Sequence, residues 1–401
     1  MKTKCKEDAS SKSVKEIYDE VLMERQNFKR PYESMQRNLR QIRVQGLPKP
    51  PANCSDIELA FERNEIREKF GFTRHKNSKE VFYNGCYENR SFAFCVFSSV
   101  KTIKLIQEHV DPENRTILMD ATFAIVPLGC FKQILIIYAA YEGKVYPLIH
   151  ILMSKKTQEC YSHIFKYIEK NICSLECRTF ITDYERAMKN ALKALYPNSS
   201  LTSCWFHFTQ AVRKNASKYP HFFELIRKNS EAAYIYRQFQ CLPLLKEKNI
   251  VPAFDELCAK ANRLDRRSFA PFLKYFKAQW IEKEGPKSIC VYKKETRTTC
   301  AVEAYNGVLG RKIRYHANFF VFVEALQKEE FAKSTNLMQE IPLMRLTRIK
   351  NATQEMRDEL ITPIEFLQKI ANMDNKIMKA SSASRASSER LSFELTEQQR
   401  G

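Results

Sequence analysis

Residues 114–127, NRTILMDATFAIVP, set one carboxylate, Asp120, in the middle of an apolar run. The run has the length and composition of a strand buried on both faces. A charge in such a place is expensive unless something compensates it. Three compensations are open: a lysine or arginine partner, protonation of the acid, or a bound cation. Proteins that cut or transfer phosphodiesters use the third, because a divalent ion neutralises the acid and the reacting phosphate together.

Working outward from this run, EVFYNG (80–85) and FAFCVFSS (92–99) read as strands and VKTIKLIQEHV (100–110) as a helix. FKQILIIYAAYEG (131–143) and KVYPLIHILMS (144–154) read as two strands joined by a tight turn at Glu142-Gly143-Lys144, a hairpin signal. A helix at 157–172, a strand CRTFITDYE (177–185) reaching Asp183, a helix at 186–197 and a short strand SLTSCWFHF (200–208) follow. Alternation of this kind predicts an α/β core that opens with a three-stranded antiparallel meander and continues with parallel strands. A right-handed crossover then lays the strand of Asp183 beside the strand of Asp120, with both acids at the C-terminal side of the sheet.

The rest of the chain divides around that core. Residues 1–50 form a small helical module in which Arg37, Arg40 and Arg43 recur every three positions as a basic stripe, a candidate DNA contact or a solvated face. Residues 51–79, entered through GLPKPP, read as a linker, and 80–208 as the first part of the core. Residues 209–297 lose strand character and read as an all-helical insertion. Core helices carrying Glu303 are expected over 298–335, a helical extension over 336–379, and a serine-rich disordered tail over 380–401.

With 66 Lys and Arg against 46 Asp and Glu, the formal charge is +20, which suits a polyanionic partner such as nucleic acid. The apolar run at 134–141 falls far short of the ~18 residues a membrane helix needs. Thirteen irregularly spaced cysteines fit buried thiols in a reducing compartment better than a disulfide framework, so nucleus or cytosol is expected and the charge favours the nucleus. The basic pairs Arg213-Lys214 and Arg311-Lys312 are further candidates for phosphate contact.

Asp120 and Asp183 lie 63 positions apart and Glu303 a further 120 on, a set that fits a site for two divalent cations. Glu282, Glu295 and Glu324 compete with Glu303 for the third place, and Asp183 before YERAM is also placed to satisfy free helix amides. Asn306, Gly307 and Gly310 recur at helical spacing from Glu303 and suggest a low-bulk face open to DNA.

The motifs MDATF, TDYERAMKNAL, CWFHFTQAVRK and AVEAYNGVL, in that order around a helical insertion, resemble the Mutator-like (MULE) transposase domain. The N-terminal segment is similar to the one that precedes this domain in animal FLYWCH/MULE-type transposon-derived proteins, so the resemblance covers roughly 13–335. It implies an RNase H-like fold and a DDE triad of Asp120, Asp183 and Glu303 holding Mg²⁺ or Mn²⁺. It further implies DNA cutting and joining, and homo-oligomers on DNA ends. Cys204 and His207 match the family's CxxH element. Cys173 and Cys177 lie about 20 Å away at the other sheet edge, so the pair is expected to orient the acids rather than share a zinc ion. Ala121 stands where the family commonly has glycine, and Thr299-Cys300 where it has paired asparagines. Two other readings stay open: a transposon-derived DNA-binding or regulatory protein without transposition, and an RNase H-like nuclease without strand transfer.

Overall fold

The strand of Asp120, β3 (Thr116–Thr122), is paired on both sides, which explains its apolar character. Antiparallel β4 (Gln133–Tyr141) covers one edge from Thr116↔Ala140 to Thr122↔Ile134, and parallel β6 (Thr179–Thr182) the other from Thr116↔Thr179 to Leu118↔Ile181. With β1 (Tyr83–Glu88), β2 (Ala93–Ser98), β5 (Lys144–Met153) and β7 (Ser200–Ser203), they form one mixed sheet in the order β1-β2-β5-β4-β3-β6-β7. This is a computed structural model, and it describes all residues except 8–13, 25–29, 46–47, 75–78, 124, 128, 295–299, 314–316 and 368–401. The β4–β5 hairpin turns through Glu142 and Gly143 at φ 49° and 72°. Positive φ at both central residues matches the right-handed strand twist, and glycine takes the second position without steric cost.

The helices are α1 (Lys2–Glu7), α2 (Val14–Glu24), α3 (Tyr32–Gln45), α4 (Cys54–Glu62), α5 (Asn64–Phe70), α6 (Val100–His109), α7 (Gln158–Asn171) and α8 (Arg186–Leu195). After β7 come α9 (Trp205–Ala216), α10 (Pro220–Lys228), α11 (Ser230–Cys241), α12 (Glu247–Phe276), α13 (Pro286–Ile289), α14 (Cys300–Lys312) and α15 (Phe319–Arg357). Strand alternation sorts side chains between two layers. Ile117 and Met119 join Ile106 of α6, Phe165 of α7 and Leu192 of α8. Leu118, Ile136 and Ile181 join Phe61 of α4, Val302 and Leu309 of α14, and Phe322 of α15. Asp120 has the parity of Leu118, so it faces the layer that contains α14.

Four expectations need correction. The antiparallel part of the sheet has five strands, because β1 and β2 extend it beyond β5. Residues 51–79 are not simply a linker: Asn53 caps α4 by accepting from the Asp56 amide at 2.8 Å, and Ile57, Phe61 and Phe70 are buried under the sheet. The strand expected over 200–208 stops at Ser203. The Cys204 amide still donates to Thr182 at 2.8 Å, but its carbonyl accepts from the Phe208 amide and begins α9. Phe208, Val212 and Ala216 then bury one face of that helix. Finally, α15 runs unbroken across the boundary expected at 335–336, while the expected tail 380–401 lies outside the described residues.

The helices between β7 and α14 build their own core from Phe208, Phe222, Phe239, Phe254, Phe269, Phe272, Phe276 and Trp280. Among the described cysteines no disulfide is formed. Cys86 and Cys95 face each other across β1 and β2. Burial pushes both thiols well above their ordinary range, so they are protonated members of the core.

The Phe272 ring has the rings of Phe222, Tyr236, Phe239 and Phe276 at centroid distances of 4.7, 5.6, 5.4 and 5.9 Å. Phe272→Ala is expected to lower the unfolding free energy by about 3–5 kcal/mol in urea titrations. A loss below ~1 kcal/mol would show that this aromatic cluster does not hold the insertion together.

Candidate active site

The β3–β6 register ends at Leu118↔Ile181, two residues before Asp120 on one side and Asp183 on the other. Asp183 lies just past β6, half-buried, and its Oδ1 accepts from the Glu185 amide at 2.9 Å. That bond shapes the β6–α8 turn. The cap position of α8 itself is Glu185, which makes no side-chain cap bond, so helix capping is not what holds Asp183.

Asp120 is 6% exposed. Its Oδ2 accepts from Asn306 Nδ2 at 2.7 Å, and Asn306 Oδ1 in turn accepts from the Tyr138 hydroxyl at 3.0 Å. Its Oδ1 lies 3.7 Å from His207 Nε2, and the same nitrogen lies 3.6 Å from Glu303 Oε1. Glu303 and Asn306 are one turn apart on α14, so both side chains reach the same place. The charge in the strand is therefore answered by an amide and an imidazole, and no lysine or arginine takes that role among the described residues.

Electrostatics follow from this crowding. Burial raises the Asp120 carboxyl to about 6; Asp183 and Glu303 push it the same way and His207 pulls it down. Burial likewise raises Glu303, with His207 opposing. For His207 burial works against the charged form, but the Cys204 sulfur and the carboxylates of Asp120 and Asp183 outweigh it and raise the imidazole to about 9. His207 is thus an imidazolium lodged between two acids at neutral pH.

The rivals of Glu303 stand elsewhere. Glu324 is buried against Arg74 at 2.8 Å and Lys328 at 3.4 Å, Glu282 is an exposed partner of Lys277 at 4.0 Å, and Glu295 lies outside the described residues. Cys173 and Cys177 precede β6 while Cys204 follows β7, so the two pairs lie at opposite ends of neighbouring strands. Three oxygen donors have the chemistry for a hard cation. Their spacing is looser, and among the described residues no group of three His, Cys, Asp or Glu converges closely enough to hold a metal ion.

Several contacts were not anticipated. Asn306 is not part of an open low-bulk face but a hydrogen-bond donor to Asp120, and Gly310 packs toward Ile125. His207, expected to act from behind the acids, touches two of them. Lys189 on α8 is buried. It donates to Ser203 Oγ at 2.6 Å, lies 3.9 Å from Glu284 and covers the Tyr184 ring at 4.5 Å, so it ties the turn after Asp183 to β7 and to the insertion. A lysine within an amphipathic helix pattern gives no sign of such burial.

The basic candidates separate in the same way. Arg213 and Lys214 are exposed on α9 and, with His207, Gln210, Ser217 and Phe223, line a groove of about 700 Å³. Arg311 is exposed, whereas Lys312 is paired with the buried Glu329 and is less available to a phosphate than expected. Arg37 and Arg40 are exposed on α3; the Arg43 side chain lies outside the described residues.

The imidazole between the acids has a pH signature. Its pKa rises from an ordinary ~6.5 in the unfolded chain to about 9 in the fold. Its stabilising contribution is complete below the unfolded value and is lost as pH rises through the folded one. With a chelator present, the melting-temperature difference between the native chain and His207→Gln is expected to be largest near pH ~6.5 and to shrink toward pH ~10. A difference that stays constant over that range would mean that no charge sits on the imidazole.

Comparison with known proteins fits this geometry. No curated protein matches the chain. Residues 116–211 match the family model of the MULE transposase domain, a span that runs from the first residue of β3 into α9. This segment of the chain is thus similar to the MULE transposase domain, and Asp120, Asp183, Cys204 and His207 all fall inside the matched span.

Proposed function

We propose that the chain is a DDE-type DNA phosphoryl transferase with an RNase H-like core, in which Asp120, Asp183 and Glu303 would hold Mg²⁺ or Mn²⁺. The observation that carries this reading is the approach of Asp120 and Glu303, from separate elements, to one imidazole at the end of the sheet where β6 also delivers Asp183, with Asp120 and Asp183 inside the family-matched span. Divalent ions held there would activate an attacking oxygen and stabilise a leaving one.

The chain's own residues account for the remainder. Asn306 fixes one oxygen of Asp120 and leaves the other turned to the site. His207 offsets negative charge until a cation arrives. Arg213, Lys214 and Arg311 would hold DNA through its phosphates, with Arg37, Arg40 and Arg43 as a second patch. Joining two element ends calls for a homo-oligomer, and DNA as substrate for a nuclear location. Among the described residues no helix is long and apolar enough to cross a membrane.

One observation favours a second reading, a transposon-derived DNA-binding protein without transposition: the His207 imidazole stands 3.7 Å from Asp120 and 3.6 Å from Glu303, where a protonated ring offsets both acids without any metal. Calorimetric titration of Mn²⁺ into the native chain and an Asp120→Asn/Asp183→Asn variant, followed by a plasmid-nicking assay, separates the two. Metal uptake and nicking that vanish in the variant are expected. DNA binding without metal uptake would hand the case to the second reading, and nicking without joined products would mark a nuclease that does not transfer strands.

The α9 groove has its own test. Arg213→Glu/Lys214→Glu should weaken binding to duplexes of unrelated sequence alike and reduce the slope of log affinity against log salt by roughly 2. An unchanged slope would exclude the groove from the DNA path.

A further inference from the structure

The C-terminal ends of β3, β5, β6 and β7 lie on one rim of the sheet, the rim that holds the acids. The first residue past β3 there is Phe123, 52% exposed. Single exposed apolar side chains are ordinary on protein surfaces. Phe123 differs in how it is kept. The Lys156 ammonium, from the loop after β5, stands 4.3 Å from its ring centroid, and that lysine is held 3.6 Å from Glu185 in the turn after Asp183. A ring in this setting is steered by a cation–π contact and keeps more than half of its surface open to solvent. It stands three positions on from Asp120 along extended chain, a span of about 10 Å.

Resting on the phosphoryl-transfer reading, we infer that Phe123 is a stacking platform for an unpaired base flanking the scissile phosphate, with Lys156 contacting the adjoining backbone. An aromatic face accepts any base, so the site favours DNA that is open at that point over a fully paired duplex, without demanding a sequence. Lys156 is exposed and already oriented by Glu185. It offers a phosphate a cation beside the ring. A paired base keeps its faces inside the duplex stack and cannot use the ring, which is why strand opening is the variable to test.

The full-length chain is titrated with a fluorescent single-stranded oligonucleotide, a duplex of the same sequence, and a single strand carrying 2-aminopurine. Phe123→Ala is expected to weaken single-strand binding about tenfold or more, to leave duplex affinity within about twofold, and to abolish 2-aminopurine quenching. Phe123→Trp is expected to keep both affinity and quenching, which controls for misfolding. Equal losses on single strand and duplex, or no loss on either, would overturn the stacking role. If Phe123→Ala behaves like the native chain while the native chain nicks plasmid DNA, the platform alone falls. If the native chain binds neither form of DNA, the phosphoryl-transfer reading falls with it.

Discussion

The arrangement depends on one constraint, a carboxylate fixed in a strand that is paired on both edges and covered on both faces. Asp120 has no route to bulk water except toward α14 and the start of α9, so those elements must bring polar groups to it. α14 brings Asn306 and Glu303 on one turn, and α9 brings His207 from its first turn. A buried acid left without such partners would cost several kcal/mol.

The detour is bound at the same end. The insertion has its own aromatic core, yet Lys189 reaches from α8 to Ser203 and toward Glu284. Burial lowers the pKa of that lysine while Glu284 and Asp183 sustain its charge. A buried ammonium with a carboxylate and a hydroxyl is a connection with strict geometry, and it couples the position of the insertion to the turn that carries Asp183.

What the sequence made legible was the periodic part. The apolar run around Asp120, the hairpin after it and the strand-helix step at TDYERAM obey alternation rules that depend on neighbours in the chain. The missed features depend on neighbours in space. Residues 54–70 carry buried Ile57, Phe61 and Phe70, but the proline-rich approach suggested a spacer. The switch from β7 to α9 at Cys204 lies inside a run, SCWFHF, whose composition suits either state. Asn306 looked small and neutral because its two partners, Asp120 and Tyr138, come from strands far away in sequence. Glu303 stands apart from Glu282 and Glu324 only once the fold shows which glutamate, among the described residues, has no lysine or arginine partner and faces the imidazole instead.

The imidazolium also bears on what the site can accept. Three carboxylates gathered at one end of a sheet repel one another, and Asp183 and Glu303 both raise Asp120. Such a cluster persists by taking up a proton or by holding positive charge within it. In the protein alone His207 supplies one unit, held between two of the acids, while a divalent ion would supply twice that charge through direct oxygen contacts. The two are alternative answers to one electrostatic demand.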